Sequence, residues 1–117
     1  MLQKKYRLKN SAAFSATFRL KNCKSNDLLV IYCGKDKNNP NIPTKAGFVV
    51  SKKIHKRAVK RNKIKRRLRE IYCEAQKKNL MTAFENSLSV IIIAKAKIID
   101  ADFSQIKSAF YDLTEQF

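Results

Sequence analysis

Between positions 52 and 69 this chain carries eleven lysines and arginines and not one acidic residue. Like charges one helical turn apart destabilise an isolated helix by about a few tenths of a kcal/mol per pair, and solvated protein surfaces usually mix both signs. A plain solvated face is the simpler interpretation of such a run. We favour the alternative, that the segment lies on the surface and binds a partner that supplies the missing anions.

The rest of the charge distribution points the same way. The 117 residues carry a net charge of +17 yet are 44% hydrophobic, which is enough for a core. Positions 1–26 hold seven basic residues and no acid, whereas most acids lie in the C-terminal half. We therefore expect a single domain over residues 1–117, with one strongly positive side that binds a polyanion, nucleic acid ahead of a membrane surface.

Several functional classes are disfavoured by the sequence. The longest apolar run, at positions 88–94, is too short to span a membrane, and early cations interrupt any signal peptide, so we expect a cytoplasmic protein with no membrane partner. The cysteines Cys23, Cys33 and Cys73 form no C-x-x-C pair and His55 is the single histidine, which argues against zinc and for reduced thiols. No catalytic triad or glycine-rich phosphate loop can be assembled. We expect no catalytic residue and no tightly bound cofactor, and the sequence identifies no metal ligand.

Hydrophobic periodicity predicts six elements in the order α-β-β-α-β-α. The first two strands, joined by a loop over 35–44, are predicted to form a hairpin, and the helix after them makes a crossover that should leave the second and third strands parallel. Ser11 is the predicted N-cap of the first helix, Asp100 or Asp102 that of the last, and Cys23 is expected in a loop. The fold class is a small α/β sandwich, mixed α+β. The elements cover 11–20, 27–33, 45–51, 54–78, 88–95 and a final helix, with buried stripes of Ile64, Leu68, Ile71, Tyr72 and Ala75 and of Phe103, Ile106, Phe110 and Leu113.

The cationic run also resembles a known signature. Positions 61–69 (RNKIKRRLR) resemble the Arg-Asn-Arg signature of the protein component of bacterial ribonuclease P. The preceding GFVVSKK at 47–53 is similar to that family's segment, as are RLKxxxxFxxxF from position 7, VIY at 30–32 and IIIAK at 91–95. The resemblance covers nearly the whole chain. Lys63 departs from it, because the family has a second arginine there, and lysine keeps the charge but loses the bidentate fork.

This resemblance implies a fold, an activity and partners. The fold would be an α/β sandwich with a left-handed β-α-β crossover, whereas general rules favour the right-handed form. The protein would be an accessory subunit of an endoribonuclease whose RNA subunit, a Mg²⁺-dependent ribozyme, removes the 5′ leader of precursor tRNA. Its partners would be ribonuclease P RNA, bound through the basic helix, and the leader, held in a cleft between the first helix and the sheet.

The resemblance also implies two sets of binding residues. Their chemistry suits single-stranded RNA, since bases stack on aromatic rings while cations hold phosphates, although Phe14 and Phe18 at helical spacing are also typical of a plain core. A ribosomal-type structural protein or RNA chaperone is the alternative, and a DNA partner is disfavoured because no helix-turn-helix or zipper follows. The signature contacts would be Arg61, Asn62, Lys63, Lys65, Arg66 and Arg69, and the leader cleft Phe14, Phe18, Val30, Tyr32, Val49 and Ser51, with Lys52 and Lys53 at its rim.

Overall fold

The computed structural model describes residues 4–39, 41–78, 84 and 86–117. Position 40 of the predicted loop lies outside the described residues. The mixed α+β class is confirmed, with a four-stranded sheet and three α-helices among these residues. The elements are α1 (Ser11–Arg19), β1 (Cys23–Ser25), β2 (Leu29–Cys33), β3 (Lys45–Val49), α2 (Ala58–Lys77), β4 (Ser89–Ala94) and α3 (Phe103–Thr114), with short 3-10 helices at Lys4–Tyr6 and Ala96–Asp100.

The sheet has the strand order β1-β2-β4-β3. Strand β4 pairs parallel with β3, as predicted, and antiparallel with β2. The predicted hairpin between β2 and β3 is therefore wrong, because β4 separates them. The reason lies in β4 itself: it is buried at five of its six positions, and a strand that is apolar on both faces takes the centre of a sheet. The left-handed sense of the β3–α2–β4 crossover stays a prediction.

Strand β1 was not among the elements predicted from the sequence. Cys23, expected in a loop, instead pairs with Tyr32 of β2 at the edge of the sheet. A strand of three residues (CKS) is too short and too polar for periodicity to reveal it. The chain reaches this strand from α1 through Lys21, whose φ of 54° lies in the left-handed region.

Two helix starts also differ from the prediction. The N-cap of α1 is Asn10 rather than Ser11, because the Asn10 side chain accepts the Ala12 N–H at 2.9 Å. Helix α2 begins at Ala58 rather than at position 54. Ile54 instead closes a turn by donating its N–H to the Ser51 carbonyl at 3.0 Å, and its side chain is buried in the core.

The main core lies between one face of the sheet and the helices α2 and α3. All five residues of the predicted α2 stripe are buried, as are Ile106, Phe110 and Leu113 of α3, while Phe103 packs half-buried against them. Asp102 caps α3 in a reciprocal capping box with Gln105, which confirms one of the two predicted caps. Helix α1 packs on the other face of the sheet. No helix among the described residues is long and apolar enough to cross a membrane.

Candidate nucleic-acid interface

The sheet face turned toward α1 carries two parallel rows of side chains. Residues that lie directly opposite each other on neighbouring strands share a face, so the register defines both rows. The inner row is Cys23, Tyr32, Ile91 and Gly47, and the outer row is Ser25, Val30, Ile93 and Val49.

Helix α1 covers the inner row. The Phe18 ring packs edge-on against Tyr32, with centroids 5.0 Å apart. Phe14 lies so close over Gly47 that a Cβ added to the glycine would be 2.6 Å from the Phe14 Cζ, and only glycine permits this approach. The Thr17 hydroxyl lies 2.5 Å from the Ser89 hydroxyl in a buried contact, which anchors the helix to β4.

The outer row stays partly open beside α1. Val30, Ile93 and Val49 are half-buried, and Ser51, Lys52 and Lys53 follow β3 as exposed residues beyond its end. We call the outer row, with Phe14, Phe18 and Tyr32, the aromatic cleft. An apolar floor beside aromatic rings, with lysines at one end, is the chemistry that flexible single-stranded RNA needs.

The cleft contains two residues that the predicted set lacked, Ser25 and Ile93. Ile93 stands between Val30 and Val49 and completes the floor. Ile93 could not be predicted from the sequence, because the position of β4 between β2 and β3 follows from long-range pairing rather than from local pattern. Within the cleft, Cys23 and partial burial raise the pKa of Tyr32, so its hydroxyl is neutral at physiological pH.

A groove of about 310 Å³ runs along the edge of β3, between the N-terminal segment and α2. The Leu8 N–H donates to the Ala46 carbonyl at 2.9 Å and fixes this segment against the strand. Phe14 belongs both to this groove, which we call the β3-edge groove, and to the aromatic cleft, so the two are neighbours. The groove is lined by Arg7, Leu8, Lys9, Phe14, Ala46, Gly47, Phe48, Asn62, Lys65 and Arg69.

The structure separates the six predicted signature residues. Asn62, Lys65 and Arg69 meet in the β3-edge groove, and Arg66 is exposed. Lys63 lies on another side of α2, in a second groove. The Arg61 guanidinium donates from Nη1 to the His55 carbonyl at 2.9 Å and to the Lys56 carbonyl at 2.8 Å. Only half of the predicted set therefore lines one common surface.

Arg7 and Lys9 are candidate contacts that the predicted sets lacked. Both line the β3-edge groove opposite the α2 cations. The acid-free N-terminal stretch was the signal that could have found them. Because Arg7 and Ala46 form a parallel bridge, the positive N-terminal segment and the positive helix flank the same groove.

Ion pairing does not neutralise the cationic half of α2. Across the described parts of the chain both salt bridges use Glu74, whose carboxylate lies 2.8 Å from Lys78 and from Lys107. Those two hydrogen bonds lower the pKa of Glu74 to about 2. The positive charge at positions 52–69 is therefore left to attract an external anion.

The described residues hold no group of three or more His, Cys, Asp or Glu that could bind a metal ion. The three cysteines are free thiols. Burial raises the pKa of Cys33 to about 12, so its thiol is unreactive near neutral pH. What this interface offers is binding through charge and apolar contact.

The family model, the related sequences and the similar solved structures all indicate the same protein family. The sequence model of the family described as Ribonuclease P matches residues 2–117. The ribonuclease P protein component of Clostridium botulinum (strain 657 / Type Ba4) is 32% identical over 113 residues, which are 97% of this chain and 95% of that protein. The RNase P protein of Staphylococcus aureus superposes with a TM-score of 0.75 at 30% identity, over 97% of this chain and 95% of that one. The RNase P protein of Thermotoga maritima shares the fold, with a TM-score of 0.73 at 23% identity over 95% of this chain and 96% of that one.

Proposed function

The chain belongs to the ribonuclease P protein family and is thus a subunit of an endoribonuclease, and from this premise we propose how it binds its RNAs. Helix α2 and the N-terminal segment bind the ribonuclease P RNA through the β3-edge groove. The aromatic cleft holds the 5′ leader of precursor tRNA. The subunit thereby assists removal of that leader.

One observation carries this proposal: Phe14 lines the β3-edge groove, and the centroid of its ring lies 6.4 Å from that of Phe18, which packs on Tyr32 in the aromatic cleft. Two RNA segments bound in these places would lie side by side, separated by one aromatic ring. Lys65 and Arg69 would neutralise phosphates of the catalytic RNA, which lowers its repulsion of a second polyanion.

The aromatic cleft suits an unpaired strand better than a duplex. Its floor of Val30, Ile93 and Val49 is apolar and half-buried, and the Phe18 and Tyr32 rings stand beside it. Unstacked bases pack on such surfaces without sequence-specific hydrogen bonds. Lys52 and Lys53 at the rim would hold leader phosphates.

Cleavage itself is assigned in this proposal to the RNA subunit and the Mg²⁺ ions that it binds. The protein contributes positioning and charge neutralisation. Because it replaces part of the phosphate screening that Mg²⁺ supplies, its effect should be largest when Mg²⁺ is scarce.

The test is cleavage of labelled precursor tRNA by a bacterial ribonuclease P RNA at low Mg²⁺, with and without this protein. We expect strong stimulation and release of an intact 5′ leader. An unrelated basic protein of similar size and charge is the control. Stimulation no greater than that of the control would contradict the proposal.

A further inference from the structure

We infer that α2 carries a second RNA-binding site, on the side facing the 3-10 helix Ala96–Asp100, which binds a separate segment of the ribonuclease P RNA. This inference rests on the proposed function for its choice of partner. The second site differs from the RNA-binding site of the proposed function because it contains Lys63, together with Lys60 and Arg67, and lies apart from the β3-edge groove. We call it the Lys63 groove.

The Lys63 groove is a concave site of about 240 Å³ between α2 and the 3-10 helix. Lys60, Lys63 and Arg67 stand at i, i+3 and i+7, so they form one row on the helix. None of the residues that line the groove is acidic. Within the described ranges, the side chains of these three cations make no hydrogen bond or ion pair. Three uncompensated charges thus converge on one concavity.

The opposite wall of this groove is apolar. Ile98 is buried, but Ile99 is 43% exposed beside the cations. An exposed isoleucine facing a row of cations matches a nucleotide, whose phosphate needs the cations and whose ribose and base offer apolar surface. A free inorganic anion would use only the cations and leave Ile99 in water.

The end of the groove is held by backbone contacts. His55 lines it, and the Arg61 guanidinium bonds the carbonyls of His55 and Lys56. The Arg57 N–H also donates to the His55 Nδ1 at 3.0 Å. These bonds fix the turn before α2, so the backbone at this end of the groove loses little entropy on binding.

The two grooves lie on different sides of one helix. The row of Lys60, Lys63 and Arg67 and the row of Asn62, Lys65 and Arg69 flank the buried stripe of α2 on opposite sides. A helix with side chains is about 10–12 Å across, so one short phosphate run does not reach both rows. Two RNA segments would therefore bind α2, one on each side of the helix. Lysine at position 63 can still serve such a site, since an ammonium group binds a phosphate as a point charge.

The experiment removes the α2 cations of each groove separately in the full chain. The Lys63-groove variant combines Lys60→Gln, Lys63→Gln and Arg67→Gln. It is compared with the β3-edge variant, which combines Asn62→Ala, Lys65→Gln and Arg69→Gln. The charge-matched control replaces three exposed lysines outside both grooves, Lys24→Gln, Lys35→Gln and Lys77→Gln. Affinity for ribonuclease P RNA is measured over a range of salt concentrations. Footprinting identifies the RNA nucleotides that each variant protects, and thermal melting checks that each variant is folded.

We expect the Lys63-groove variant to bind the RNA about tenfold or more weakly, with a salt slope shallower by about 2, since each lost phosphate contact removes about 0.7–0.9. The control should stay within about twofold of wild type. Ile99→Ser should weaken binding while leaving the salt slope unchanged. The nucleotides that lose protection should differ from those lost in the β3-edge variant.

Two outcomes would overturn this inference: affinity equal to that of the control in a variant that melts normally, or loss of the same nucleotides in both groove variants. The proposed function is judged separately, by stimulation of cleavage with the wild-type chain. If stimulation is seen but the Lys63-groove variant matches the control, only the second site fails. If stimulation is absent while the variant still loses RNA affinity, the proposed function fails and the site stands.

Discussion

At the scale of single residues, Arg61 shows that an arginine of the signature can stabilise the protein's own backbone instead of contacting RNA. Its Nη1 donates to two carbonyls in the turn before α2, and the residue is half-buried. Arg66, five residues on, is exposed, and within the described chain its side chain makes no hydrogen bond or ion pair. The sequence places both in one cationic run and gives no means of separating them, because the carbonyls that Arg61 reaches depend on where the helix begins.

We expect Arg61→Ala to lower the free energy of unfolding by about 1–2 kcal/mol, because two hydrogen bonds from a charged donor are lost at a half-exposed site. Arg66→Ala should leave stability unchanged while weakening RNA binding. Urea denaturation followed by circular dichroism measures the first effect and filter binding the second. Equal stability of the two variants would refute the positioning role of Arg61.

Gly47 makes a second prediction at this scale. Its missing side chain leaves the space that the Phe14 ring occupies, so Gly47→Ala should displace that ring from between the β3-edge groove and the aromatic cleft. We expect weaker binding of leader-bearing precursor tRNA by the protein–RNA complex, with binding of leaderless tRNA unchanged as the internal control. An unaltered ratio of the two affinities would show that the position of Phe14 does not matter.

At the scale of elements, the helices follow from local pattern and the sheet does not. The buried stripe of α2 is set by a 3.6-residue period that can be read within the segment. Strand order depends on which distant strands pair. The position of β4 between β2 and β3 therefore cannot be predicted from local sequence pattern. For the same reason the cleft residues on β2 and β3 could be named, but Ile93 between them could not.

The α2 stripe gives a stability prediction. Leu68→Ala removes a side chain that is 1% exposed, so it should cost about 2–5 kcal/mol through lost burial and a residual cavity. Val59→Ala, at a position that is 78% exposed on the same helix, should change stability little. Denaturant titration of both variants gives the comparison. A Leu68→Ala variant as stable as wild type would mean that the stripe does not face the core.

The contact between α2 and α3 gives a pH prediction. Glu74 bonds Lys107 of α3 and Lys78, which lowers its pKa from 4.5 to about 2 in the folded protein. Ionised Glu74 therefore stabilises the fold above about pH 4.5, and this contribution is lost as the pH falls toward 2. The stability gap between wild type and Glu74→Gln should shrink over that range. Glu70→Gln, an exposed acid on the same helix, serves as the control, and a gap independent of pH would contradict the assignment.

At the scale of the whole molecule, the net charge determines the kind of partner, and the fold determines which surfaces the cations line. The net charge of +17 predicts a polyanionic partner from composition alone. It does not predict that cations of one helix face two different grooves, because that depends on how the N-terminal segment and the Ala96–Asp100 turn pack beside α2. The signature residues could thus be named from sequence, whereas their division between surfaces required the tertiary structure.

The proposed function is tested most directly by the affinity for precursor tRNA, with and without its 5′ leader, of the complex that the protein forms with ribonuclease P RNA. The wild-type complex should bind the leader-bearing form more tightly. Tyr32→Ala should abolish that preference while leaving affinity for the ribonuclease P RNA intact, because Tyr32 lies in the aromatic cleft and outside the β3-edge groove. Equal affinity of the wild-type complex for both tRNAs would contradict the account.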